Sequence, residues 1–92
     1  MESAEISRHE VAVYLALKGH ADAWMTNKDI AVITDGVALR TVRAHTMKLV
    51  QLGLLDQAEV FPAHRYRWSS MGEKRNPAYV LRLKQATDVF GL

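Results

Sequence analysis

Arg40, Arg43 and Lys48 crowd into one short stretch, and Arg65-Tyr66-Arg67-Trp68 alternates base with aromatic. Placed 100° apart around a helix, the first three cations share a side with Ala44, Met47 and Gln51, and with no acid. Two chemistries fit such a face: contact with an anionic polymer, or the ordinary solvated surface of a helix. Arg65 and Arg67 likewise suit either an anionic partner or an edge strand whose charges discourage sheet pairing. His9, His20, His45 and His64 do not have ligand spacing on one helix, and no cysteine or carboxylate cluster joins them, so no metal site is expected. The chain contains no cysteine at all, which excludes a disulfide framework, a thiolate zinc site and a cysteine nucleophile. There is no phosphate loop, no nucleophile motif and no carboxylate pair; Glu73 and Asp88 stand alone. The expectation is a protein that is not an enzyme and uses no cofactor.

The elements that must position these cations are well punctuated. Ser7-Arg8-His9-Glu10 reads as a capping box, with Ile6 and Val11 as a staple, and Gly19 closes the helix in a left-handed conformation. Thr26-Asn27-Lys28-Asp29 repeats the box for a second helix running to about Thr34, stopped by Asp35-Gly36. A third helix spans roughly Ala38 to Leu52, with Val42, His45, Thr46, Leu49 and Leu52 inward. Leu54 to Val60 and Arg65 to Trp68 suit two strands around a turn at Phe61-Pro62-Ala63-His64, with Tyr66 and Trp68 inward and both arginines outward. A polar connector from Ser69 to Arg75 leads to Asn76-Pro77, which caps and opens a last helix closed by Gly91. Tyr79, Leu83, Ala86 and Phe90 form an apolar stripe on it. That stripe suits either packing on the first helix or pairing with a second copy.

The 92 residues are one domain's worth, 49% hydrophobic and 24% charged. The net charge of +2 hides an asymmetry. Residues 1–37 carry three cations against six acids, and residues 38–92 carry nine against four. The acidic start, Met1-Glu2-Ser3-Ala4-Glu5, lacks the basic and apolar runs of a signal peptide, and no stretch approaches the ~20 apolar residues of a membrane span. A soluble cytoplasmic protein is expected, with no membrane partner.

Three helices, then a hairpin, is the order of a winged helix-turn-helix: mainly α with a small β-hairpin and an additional C-terminal helix. The stretch from Asp35 to Leu55 resembles the recognition-helix region of bacterial winged-helix regulators of the MarR-like and GntR-like kind. The matching features are Gly36-Val37, then Thr41-Val42, then Leu49, then Gly53-Leu54-Leu55. With the wing, the resemblance covers about residues 7–69, and residues 76–91 form the terminal helix of a single 1–92 domain. Ala38 departs from the pattern, since that position usually carries a capping Ser or Thr.

The resemblance implies sequence-specific binding of double-stranded DNA by a small transcriptional regulator, bacterial or from a phage or plasmid. The third helix would enter the major groove, with Arg40, Thr41, Arg43 and Ala44 at base edges and Lys48 on phosphate. His64, Arg65 or Arg67 on the wing would reach the backbone or minor groove. Thr26, Asn27 and Lys28 would add phosphate contacts at a helix N-terminus. Tyr79, Leu83, Ala86 and Phe90 would pair two copies as a homodimer. The length leaves no room for a fused sensor domain. The alternative is a winged-helix protein–protein module, such as a phage or plasmid accessory protein, or a replication or partition component. Ala44, Met47 and Val50 on the third helix speak for a protein partner.

Overall fold

Ser7 opens the first helix as its spacing to Glu10 demands. In the computed structural model, which describes residues 6–60 and 62–92, the Ser7 hydroxyl accepts from the Glu10 amide at 3.1 Å and α1 runs Arg8–Gly19. The returning half of the box is not made, because the Glu10 carboxylate turns into the core. The ending also differs from expectation: Gly19 is not left-handed, and His20 closes the helix at φ −118 with its amide bonded to the Leu17 carbonyl. The acidic segment 1–5 lies outside the described residues.

The second box is complete. Asp29 donates its amide to the Thr26 hydroxyl at 3.2 Å, and its carboxylate accepts from the Thr26 amide at 3.1 Å. Helix α2 runs Asn27–Ile33, and the Thr34 hydroxyl bonds back to the Ile30 carbonyl at 2.8 Å. Asp35 and Gly36 then take positive φ values of 53 and 99, which reverses the chain between α2 and the next helix. Helix α3 runs Leu39–Gln51. Ala38 sits at its capping position with extended backbone and no side-chain hydrogen bond, so the departure noted above is structural.

Strands β1 (Leu55–Val60) and β2 (Ala63–Trp68) pair antiparallel, from Leu55 opposite Trp68 to Val60 opposite Ala63. The connection is tighter than the four-residue turn expected at Phe61-Pro62-Ala63-His64; Phe61 itself lies outside the described residues. Met25 adds a single bridge to the hairpin, exchanging two 2.8 Å backbone bonds with Tyr66. The wing is thereby tied to the residue just before the Thr26 cap of α2.

The connector after β2 is not irregular throughout. It holds a one-turn helix, α4 (Gly72–Arg75), pressed onto Leu54. A Cβ at Gly72 would sit 3.1 Å from the Leu54 Cα, so the approach depends on glycine. Helix α5 runs Pro77–Phe90, capped by Asn76, whose side chain accepts from the Tyr79 amide at 3.3 Å, and closed by Gly91 at φ 69.

One core joins these elements. Val11, Val13 and Leu17 of α1, Ile30 of α2, Val42 and Leu49 of α3, Leu54 before β1, and Leu83 of α5 are all almost fully buried. The α5 stripe takes the first of its two expected alternatives, packing within the chain. Tyr79 and Leu83 are buried within their own chain, and Ala86 and Phe90 are half-buried against the same core. A stripe at those spacings closes the chain's own seam with α1 before it can meet a second copy.

Candidate nucleic-acid interface

Helix α3 separates its two faces as its periodicity requires. Val42, Thr46 and Leu49 are buried, whereas Arg40, Arg43, Ala44, Met47 and Gln51 are exposed. Thr41 is half-buried at the margin. The Thr46 hydroxyl lies 2.8 Å from Asn27 Oδ1 and 3.1 Å from the Arg43 carbonyl, which hooks the start of α2 to the middle of α3. The hook sets how the two helices of the helix-turn-helix cross, and neither residue's role was visible in the spacing.

The wing closes this arrangement into a groove of about 420 Å³. Thr26, Asn27 and Lys28 form one wall, Leu39 and Arg43 the floor, and Pro62, Ala63 and His64 the wing side. Five residues expected at a DNA surface, from three separate elements, thus line one concavity. Arg40 and Ala44 lie on the adjoining exposed face of α3. Arg65 is exposed on the other face of the hairpin from His64, as strand alternation requires. The His64 ring is 3.2 Å from the Gln57 amide nitrogen.

Two of the expected contact residues have partners within the protein. Lys48 Nζ is 2.9 Å from Glu10 Oε1 and stacks over the Tyr79 ring at 5.4 Å. Its ammonium is thereby held between Glu10 of α1 and Tyr79 of α5. Arg67 bonds Asp56 at 3.2 Å and lies 4.3 Å over the Trp24 ring. It keeps the outer side of the hairpin, half-exposed, but is tied there to these partners. Asp56 opposes Arg67 across the hairpin and captures it.

Glu10 is the residue the sequence reading missed. It is 1% exposed, accepts from the Tyr79 hydroxyl and from Lys48, and stands 4.0 Å from His45 Nδ1. A signal existed: Glu10, Tyr14 and Leu17 share one helical face, and the other two are apolar core residues. Burial holds the His45 imidazole below its ordinary range despite the nearby Glu10 charge. Burial also pulls Lys48 down, but its bonds to Tyr79 and Glu10 outweigh that and raise it. Tyr79 is raised by burial and by donating to Glu10. The cluster pins α3 to α1 and α5 at one buried carboxylate.

Among the described residues no group of three or more His, Cys, Asp or Glu could hold a metal ion, and no helix is long and apolar enough to cross a membrane.

Helix-turn-helix, bridged hairpin and terminal helix together define the winged helix-turn-helix fold, and solved structures agree. No protein-family model matches the sequence, and no curated protein matches it. Among solved structures, the chain is similar to MepR, a transcription regulator of the Staphylococcus aureus multidrug efflux pump MepA. The TM-score is 0.63 at 16% identity, over 94% of this chain and 64% of that one. MepR has also been solved in complex with DNA. It is similar to the protein ST1889 of Sulfolobus tokodaii, with a TM-score of 0.67 at 23% identity, over 95% and 85%. A third is the PcaV transcriptional regulator of Streptomyces coelicolor, solved with its natural ligand: TM-score 0.65, 20% identity, 98% and 64%. The chain therefore spans slightly less than two thirds of the MepR and PcaV chains. The expected fold, including its terminal helix, is borne out.

Proposed function

We propose that this chain binds double-stranded DNA sequence-specifically as a transcriptional regulator, with α3 in the major groove and the wing tip on the backbone or minor groove. The observation that carries the reading is the groove that gathers Lys28, Arg43 and His64 from three elements beside the exposed Arg40. Cations from the N-terminus of α2, the first half of α3 and the wing are what a duplex laid across this face would meet. The similarity to regulators of the same fold, one of them solved with DNA, supports it. In this reading Arg40 and Ala44 face base edges. Arg43, Lys28, Thr26 and Asn27 line the phosphate track, and His64 and Arg65 belong to the wing contact.

The test is duplex binding across a salt series with wild type and the Arg40→Ala/Arg43→Ala double variant. The expected result is steep weakening with salt and a loss of roughly thirtyfold or more in the double variant, at ~1–3 kcal/mol per well-made arginine contact. Equal binding by both proteins overturns the assignment of α3. A second reading, a protein-interaction module, is favoured by the exposed apolar side chains Met47 and Val32. It predicts no duplex affinity above background at physiological salt.

A further inference from the structure

The exposed face of α3 is not uniformly cationic. Arg40 and Arg43 occupy its first turns, and Ala44, Met47 and Gln51 follow. No cation continues the track, because Lys48 is drawn inward to Glu10 at 2.9 Å. Met47 stands 63% exposed in the middle of the face. A helix that met only phosphate would have no use for an apolar side chain there. In the major groove, the apolar feature on a base edge is the 5-methyl group of thymine. A long unbranched thioether chain can adapt to it.

Geometry separates the two ends of the face. Arg40 and Met47 are seven residues apart, so they lie about 10 Å apart along the axis and within about 20° of one another around it. That rise corresponds to about three base steps at ~3.4 Å each. Arg43 is committed to the groove shared with the wing, which leaves Arg40 for a guanine edge.

We infer that Met47, with Ala44 beside it, is a specificity-determining residue that reads a thymine methyl about three base steps from the base read by Arg40. This inference rests on the reading of α3 as the DNA-contacting helix. The experiment selects bound duplexes from a random pool and then replaces each thymine of the best site with deoxyuridine, one at a time. Affinities are measured for wild type and for Met47→Gln, with circular dichroism confirming that the variant folds. The expected result is one or two positions at which losing the methyl weakens wild type about fourfold, the effect of exposing one buried methyl group. The same substitution should leave Met47→Gln unchanged. Binding that is indifferent to every methyl, or equally sensitive in Met47→Gln, overturns the inference while leaving DNA binding intact. If no duplex is selected and a protein partner whose binding Met47→Gln abolishes is found instead, both the inference and the reading beneath it fall.

Discussion

The Glu10–Lys48 pair is asymmetric, and the asymmetry decides what its loss does. Glu10 is sealed in the core, whereas the Lys48 side chain is 44% exposed and can swing to water when released. Lys48→Met should therefore cost more than Glu10→Gln. The first leaves a buried carboxylate with only Tyr79 donating and a neutral His45 nearby, at about 3 kcal/mol. The second keeps a neutral acceptor for Tyr79, at about 1 kcal/mol. Urea unfolding of both variants checks the order. The same substitution discriminates role: Lys48→Met should leave the salt slope of DNA binding unchanged. Lys28→Ala should make it shallower by about 0.9, one phosphate's worth of released counterion. The cluster also sets a pH window. His45 is lowered from 6.5, so its contribution is present above 6.5 and is lost as pH falls through its lower folded value. Tyr79 and Lys48 are raised from 10.0 and 10.5, so their contributions hold below those values and fade as pH rises past them. Stability should form a plateau through neutral pH, and His45→Gln should flatten its acid edge in denaturation measured across pH.

At the scale of elements, the uncapped start of α3 is the clearest place to intervene. Ala38 already has the extended backbone of a capping residue, so a hydroxyl there needs no rearrangement. Ala38→Ser should stabilise the fold by about 1 kcal/mol. That corresponds to a melting temperature higher by roughly 4–8 °C for a domain of this size. An unchanged melting temperature would mean that the first-turn amides of α3 are already satisfied by water. The helices were legible because each carries its own local signals: Ser7, Thr26 and Asn76 cap as read, and Asp35-Gly36 turns the chain. The bridge at Met25, the turn of helix at Gly72 and the capture of Arg67 by Asp56 were not legible. Each depends on a partner distant in sequence or across the hairpin. The α5 stripe shows the same limit from the other side. Spacing establishes that Tyr79, Leu83, Ala86 and Phe90 share a face, but not whether that face meets its own chain or another. For the site, the groove brings Lys28, Arg43 and His64 together as the sequence suggests, because helix starts, outer faces and hairpin tips are read locally. The bond from Lys48 to Glu10 was not legible, because a side chain at the edge of a face can turn either way and only the position of Glu10 decides it.

At the scale of the whole molecule, the internal engagement of Lys48 and Arg67 leaves Lys28, Arg40, Arg43 and Arg65 as the cations of the proposed surface. With Arg40 on a base edge, about three phosphate contacts give a salt slope of roughly −3 for one copy, which predicts weak duplex binding by a single copy at physiological ionic strength. In the proposed reading, a second copy on an adjacent half-site about one turn of DNA away would supply further contacts. With Tyr79 and Leu83 buried, the face left on α5 for such pairing is the other one, where Val89 is 81% exposed and Leu81 is also exposed. A shallow groove beside it is lined by Ile6, Arg82, Gln85, Ala86, Val89 and Phe90. Sedimentation equilibrium should find a dimer at micromolar concentration, and Val89→Glu, which places a charge on that face without touching the core, should return a folded monomer. The same variant should bind a single half-site as wild type does but lose at least tenfold on a two-half-site duplex. A wild-type chain that sediments as a monomer yet binds the full site tightly would remove the need for a second copy and leave the exposed end of α5 to another partner.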